Sequence, residues 1–168
     1  LDRSILSLAA PAVQADLGLS HVEMSILLGL GFVLFFVILG VPLGWLVDRY
    51  PRRWIIHCGI VTWSLAASSA GLARDFWMLL LARFGVGAGE ATLHPAAYSL
   101  LVDAFPKRRP GLALTIYGGS SGLGAAFSVA AGGLVLGAAT AHGPFDVPML
   151  GTFRPWQVTL FLSGIPGL

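Results

Sequence analysis

The stretch MSILLGLGFVLFFVILGVPLGWLV, residues 24–47, carries no charged side chain. As a helix rising ~1.5 Å per residue it is long enough to cross a hydrocarbon core of ~30 Å. Three further apolar blocks follow at residues 54–73, 76–102 and 111–139. Helices of soluble proteins rarely run so far without a polar stripe. Apolar residues make up 56% of the chain and charged ones 11%, whereas soluble domains average about 25% charged. Too few polar residues remain to coat a soluble domain, which excludes a water-soluble bundle and predicts a polytopic all-α membrane protein.

The chain opens at Leu1-Asp2-Arg3, with no Met and no basic stretch of a signal peptide. It closes at Ile165-Pro166-Gly167-Leu168, inside an apolar run that begins near Trp156-Gln157. The first apolar segment is too short to span by itself. These features predict a partial transmembrane unit over 1–168, with helices at about 1–16, 22–48, 54–74, 76–103, 110–139 and 156–168. The first and sixth of these are read as truncated. Cys58 is the sole cysteine, so neither an intrachain disulfide nor the usual thiolate metal site is expected. Asn is absent, and with it any N-glycosylation acceptor.

Charge placement predicts orientation. Arg49, Arg52 and Arg53 lie between the second and third spans, and Lys107, Arg108 and Arg109 between the fourth and fifth. The opposite connections hold Arg74 and Arg154. Basic residues concentrate in short cytoplasmic loops, so the two basic loops are read as cytoplasmic. The same placement accounts for the net charge of +2 without a nucleic-acid partner.

Asp2, Arg3, Arg83 and Glu90 fall inside the spans. A charge at a helix centre costs about 2.5–3.5 kcal/mol on insertion scales, so such residues face a bundle interior or a water-filled cavity. Counting ~1.5 Å per residue from the outer helix ends brings Asp2 and Glu90 to a similar depth. Arg83, Glu90 and His94 follow one another at spacings of seven and four, which places them on one helix face. The plain alternative is a buried polar network that fixes packing, and His94 could simply hydrogen-bond within the bundle.

The run GWLVDRYPRR, residues 44–53, resembles the signature between the second and third helices of the major facilitator superfamily, G-x-L-a-D-r-x-G-r-r. Pro51 stands where that pattern has glycine, which predicts a stiffer turn. RFGVGAGEA (83–91), Asp2-Arg3, DAFP (103–106) and Leu150-Gly151 through RPWQ (154–157) are similar to the Spinster-like branch. Sugar-acid and organic-anion symporters of the superfamily carry a similar Asp-Arg and Gly-Glu-Ala. The resemblance implies a transporter of two six-helix halves with substrate between them near the midplane, the chain being the N-terminal half. It also implies that Asp48, with Gly44, Arg49, Arg52 and Arg53, forms a gating loop. There Asp48 would meet a helix N-terminus of the second half, which stabilises a carboxylate. The alternative is a charge cluster that only sets topology.

The fifth span is rich in small residues, among them Gly118, Gly119, Ser120, Ser121 and Gly122. Small residues let helices approach closely in lipid. The same run matches a G-x-S-x-G nucleophile elbow, and His57, His94 or His142 could be imagined as its base. An elbow requires a strand-to-helix turn, which a helical membrane run does not offer. Gly85, Gly87 and Gly89 lack the strand context of a nucleotide loop.

The reading is therefore a secondary active transporter working by alternating access, not an enzyme, with no cofactor and no metal. Asp2, Arg3, Arg83, Glu90 and His94 are the expected proton-coupling and cavity residues, with Tyr98, Tyr117 and Trp63 as wall candidates. Proton coupling and facilitated diffusion stay open, as do symport and antiport. The expected partners are a small organic anion or an amphipathic, lipid-like substrate, protons, the bilayer and a C-terminal half. A multi-pass location in a bacterial inner membrane is expected. An intramembrane serine hydrolase or a non-transporting membrane protein is the alternative.

Overall fold

A computed structural model describes residues 2–104, 110–143, 145–147 and 151–167. Its elements are α1 (Asp2–Leu17), α2 (His21–Ser25), a π-helical turn (Ile26–Leu30), α3 (Gly31–Arg49), α4 (Arg52–Ala70), α5 (Phe76–Ala104), α6 (Pro110–His142), β1 (Phe145–Val147), β2 (Gly151–Phe153) and α7 (Pro155–Gly164), ending in a 3₁₀ turn (Ile165–Gly167). The second span is thus α2, the π turn and α3 end to end. By length and composition, the helical stretches 21–49 and 114–142 suffice to cross a membrane. Helices α4 and α5 are less apolar because they carry Ser64, Ser68, Arg83 and Thr92, all of which are buried.

Local chemistry explains where helices begin and stop. Gly18 takes φ +63° directly after α1, a left-handed conformation that closes a helix cheaply only with glycine. Ser20 and Glu23 then form a reciprocal capping box: the Glu23 amide donates to Ser20 Oγ at 3.2 Å, and the Ser20 amide to Glu23 Oε2 at 2.8 Å. Pro51, at φ −57°, caps α4. That angle lies in the range the pyrrolidine ring imposes, so the turn needs no glycine there. At α7, Pro155 occupies the first turn and the Arg154 amide donates to Gln157 Oε1 at 3.0 Å.

Strands β1 and β2 pair antiparallel, Phe145 opposite Phe153 and Val147 opposite Gly151. The sequence reading left this segment as a connection. Strands of three residues show too little alternation to be seen as a period.

Helix α5 is the axis of the bundle, packed on α3 on one side and α4 on the other. One core joins Leu6, Ala9 and Val13 of α1 to Leu27, Leu79, Trp156 and Leu160. A second holds Phe32, Ala67 and Val86, and a third, toward the arginine-bearing end, Val47, Ile55 and Ala96. The α4–α5 contact is close enough to exclude a side chain: a methyl on Gly89 would stand 2.6 Å from the Trp63 amide nitrogen and 2.7 Å from the Gly59 carbonyl oxygen. Small residues at this crossing let the backbones touch, the packing that helices adopt in lipid. Outward faces carry Val33, Leu34, Val37, Ile38 and Val41 on α3 and Leu123, Phe127 and Leu134 on α6, all exposed.

Gly89→Ala should lower stability by about 1–3 kcal/mol, because backbone atoms that cannot swing aside meet the new methyl. Gly40→Ala, with open space around it, should leave the unfolding temperature in detergent unchanged. Equal melting of the two variants would contradict the close α4–α5 approach.

Candidate functional site

Helix α5 grades its polar stripe from inside to outside. Arg83 is 1% exposed, Glu90 is half-buried and His94 is exposed. Arg83 Nε donates to the Leu27 carbonyl at 3.2 Å, and its guanidinium carbon lies 5.7 Å from the centre of the Phe32 ring. Leu27 sits within the π turn, where widening the hydrogen-bond ring takes a carbonyl out of the regular ladder. One N–H of a guanidinium that would be costly in hydrocarbon is thereby paired with a carbonyl of the second span. Arg83 is accordingly set into the wall between α5 and the second span. Glu90, two turns further along, stands where the packed interior gives way to the open face.

An aromatic ladder continues from it. His94 meets Phe36 edge-on at 6.0 Å between ring centres and Tyr98 edge-on at 6.4 Å, and Tyr98 meets Tyr117 at 5.4 Å. These rings come from α3, α5 and α6. Phe36 was not legible as a rung, since nothing distinguishes it from neighbouring apolar residues. Trp63 does not belong to this face. It packs against Gly89 and the cluster of Phe32, Ala67 and Val86, so its expected place in the wall is corrected. Asp2 and Arg3 lie in α1, but their side chains are outside the described residues.

The 44–53 loop has a definite geometry. Gly44 has open space around it. Asp48 is exposed in the last turn of α3, the end where the dipole of its own helix disfavours a negative charge. Arg49 stacks its guanidinium 4.3 Å from the Trp45 ring centre. Arg52 is ion-paired with Asp103 near the end of α5, and Arg53 is exposed. Asp103 is thus part of the loop's charge network. The sequence signal for it is that it ends the fourth span as Asp48 ends the second. Lys107, Arg108 and Arg109 are outside the described residues.

The opposite end holds a cluster that sequence reasoning missed. Asp16 at the end of α1 accepts from Trp156 Nε1 at 2.6 Å and pairs with Arg154 at 2.6 Å. Gln157 Nε2 donates to the Ala73 carbonyl at 3.0 Å. A cavity of about 450 Å³ opens beside these residues and Arg74. The serine motif, in contrast, runs through uninterrupted α6, and Ser120 Oγ donates to the Tyr117 carbonyl of its own helix at 2.7 Å. The described residues there form no strand-to-helix turn, so the G-x-S-x-G run is not a nucleophile elbow.

The family model described as Major Facilitator Superfamily matches residues 1–168. The probable L-galactonate transporter of Escherichia coli (strain K12) is 35% identical over 76% of this chain and 28% of its own length. The hexuronate transporter of Bacillus subtilis (strain 168) is 30% identical over 100% of this chain and 36% of its own length. A crystal structure of a bacterial homolog of the human lysosomal transporter Spinster, inward-facing and occupied, superposes with a TM-score of 0.85 at 29% identity. It covers 99% of this chain and 38% of that one. The chain spans roughly a third of the length of the relatives it matches.

Arg83→Met removes a charged donor from the π-turn carbonyl while keeping most of the volume. It should cost about 1.5–3 kcal/mol, the range for hydrogen bonds to charged groups. Arg83→Lys should recover little, because an ammonium cannot both donate from the Nε position and lie against Phe32. Thermal unfolding in detergent checks both variants, and wild-type melting of Arg83→Met would show that the contact carries no stability.

Proposed function

This chain belongs to the Major Facilitator Superfamily, and from that membership we propose that it forms the first half of a secondary transporter for a small organic anion, worked by alternating access and coupled to protons through Glu90. It is an integral membrane protein, and the proposed location is a bacterial inner membrane with the arginine-bearing loop toward the cytoplasm. The observation that carries the reading is the half-buried position of Glu90 on α5, between buried Arg83 and exposed His94. A carboxylate at such a border can meet water in one state of the protein and be shielded from it in the other. Its proton affinity follows its solvation and the distance of basic neighbours. Asp2 and Arg3 are the proposed companions of Glu90.

An organic anion is favoured because two relatives are named for sugar acids, L-galactonate and hexuronate. Tyr98 and Tyr117 also offer a ring surface against which a compact polar body can lie. The same rings support a second reading, an amphipathic substrate whose apolar part rests on them. Either substrate would sit between this bundle and a second six-helix half near the midplane.

The loop is proposed as the inner gate. Asp48, disfavoured by its own helix, gains most from a helix N-terminus supplied by the other half. The Arg52–Asp103 pair joins the α4 start to the α5 end, so the gate would move with the helix that carries Glu90.

Glu90→Gln, tested as uptake into proteoliposomes by the full-length protein at several imposed pH differences, should abolish accumulation driven by the gradient. Exchange between equal pools should survive. Undiminished concentration of substrate by the variant would move the coupling role to Asp2. Asp48→Asn should slow transport roughly two- to fivefold, the rate equivalent of a helix-dipole contact, at unchanged membrane insertion. Unaltered kinetics would reduce the loop to a topology signal.

A further inference from the structure

A second cavity lies away from the Glu90 face. It has a volume of about 570 Å³ and opens between α3 and α4, with α5 as its floor. Its α3 wall is Leu39, Leu43 and Leu46, one helix face at spacings of four and three, with Tyr50 just past the helix end. Its α4 wall is Trp54, Ile55, Cys58 and Thr62. Helices α3 and α4 both pack along α5 and touch each other little, which leaves the seam open to the side. The floor is Ala88, Gly89 and Thr92. Thr92 Oγ1 donates to the Gly89 carbonyl at 2.7 Å, so the floor presents no unsatisfied hydroxyl hydrogen.

The groove is apolar along its length and basic at its mouth. Tyr50 and Pro51 line both this groove and an adjoining hollow that includes Arg49, Arg52 and Arg53. Arg52 is engaged by Asp103. Arg49 and Arg53 are exposed, and Asp48 is the acid that counts against them in the hollow. Its positive excess therefore sits within reach of the groove's open end. The groove extends from Tyr50, just past α3, back along the helix to Leu39, a length of ~16 Å at ~1.5 Å per residue. Half of a ~30 Å hydrocarbon core is ~15 Å. The groove thus starts at the membrane surface and ends near the midplane.

We propose that this groove is a binding site for one anionic glycerophospholipid of the leaflet on the arginine side. An acyl chain lies between α3 and α4, and the headgroup phosphate lies against Arg53 and Arg49. A chain hung from that leaflet has the groove's length, and an apolar chain suits its wall. A phosphate at the ester level meets the guanidinium fork, the donor geometry that suits phosphate best. Trp54 and Tyr50, exposed at the mouth, have the amphipathic rings that settle at headgroup depth. The groove itself lies on the opposite side of Gly89 from the aromatic ladder and uses neither Glu90 nor His94, while the arginines at its mouth belong to the loop proposed as the inner gate.

The test uses the full-length protein in phosphatidylcholine vesicles and reads tryptophan fluorescence, with the Trp54→Phe variant subtracted to isolate Trp54. Phosphatidylglycerol brominated on its acyl chains is titrated in, with brominated phosphatidylcholine and brominated phosphatidylethanolamine as parallel arms. Saturable quenching of Trp54 at a low mole fraction of phosphatidylglycerol is expected, with weaker and non-saturating quenching from the other two. Arg53→Gln should reduce the preference for phosphatidylglycerol about fivefold, the weight of one basic residue at an anionic surface. Thr62→Phe, filling the groove from α4, should remove saturable quenching by every lipid, while Leu65→Phe, exposed on the same helix outside the groove, should not. Thermal unfolding of both phenylalanine variants separates a filled groove from a misfolded bundle. Equal quenching by all three headgroups would overturn the anionic site, and no quenching of Trp54 by any of them would show the groove to be covered by protein.

Discussion

Hydrocarbon solvates neither a guanidinium nor a bare carbonyl, and under that constraint the hydrogen bond from Arg83 to the Leu27 carbonyl fastens α5 to the second span. The π turn at Ile26–Leu30 provides the carbonyl and also inserts an extra residue into the register of the second span. Downstream of that insertion, Phe32 faces α5, where its carbonyl oxygen would stand 2.9 Å from a methyl placed on Gly87. Phe32 also lies beneath the Arg83 guanidinium. Close packing of α3 on α5, the second core and the burial of Arg83 are therefore one arrangement. Without the π turn, the side chains of α3 would rotate away from those of α5.

The two ends of the bundle are held differently. At the end of α1, an aspartate, an indole, an arginine and a glutamine tie α1, the α4–α5 connection and α7 through direct hydrogen bonds. At the arginine-bearing end, the described contacts between helices include the Arg52–Asp103 pair, the Tyr98–Tyr117 ring contact and the small core of Val47, Ile55 and Ala96. Charges there are mostly exposed, and surface ion pairs contribute little stability. Helices α3 and α5 also contain Pro42 and Pro95 in that half. Each proline removes an internal hydrogen bond and lets its helix bend. One end is knotted and the other is loosely closed.

Much of this was legible because the bilayer imposes a simple rule. The apolar block 24–47 announces a membrane helix whatever its neighbours are, and GWLVDRYPRR marks the turn between two of them. The spacing of Arg83, Glu90 and His94 put them on one face, but spacing does not reveal depth. The structure sorts them into buried, half-buried and exposed. That order depends on which helix covers each turn of α5, a long-range fact. The π turn has no sequence signature, since Ile26, Leu27 and Leu28 suit an α-helix equally well. Trp63 shows the same limit from the other side: a tryptophan mid-span suits a cavity or a crossing, and only the gap at Gly89 decides. The Asp16 knot joins residues 140 apart in sequence, so no local pattern could show it.

The knot has a mechanical consequence. A helix pinned by polar contacts at one end and held by apolar packing along the rest can pivot at the pin, and small rotations there become large displacements far from it. Along α1 the rise from Asp16 to Asp2 is about 21 Å at 1.5 Å per residue, so tilting the helix by about 10° about Asp16 carries Asp2 sideways by about 4 Å. Arg3 moves with it. A rearrangement of less than a bond length around Asp16 would leave the outer face almost still and move the deepest charges of α1 by more than the width of a water molecule.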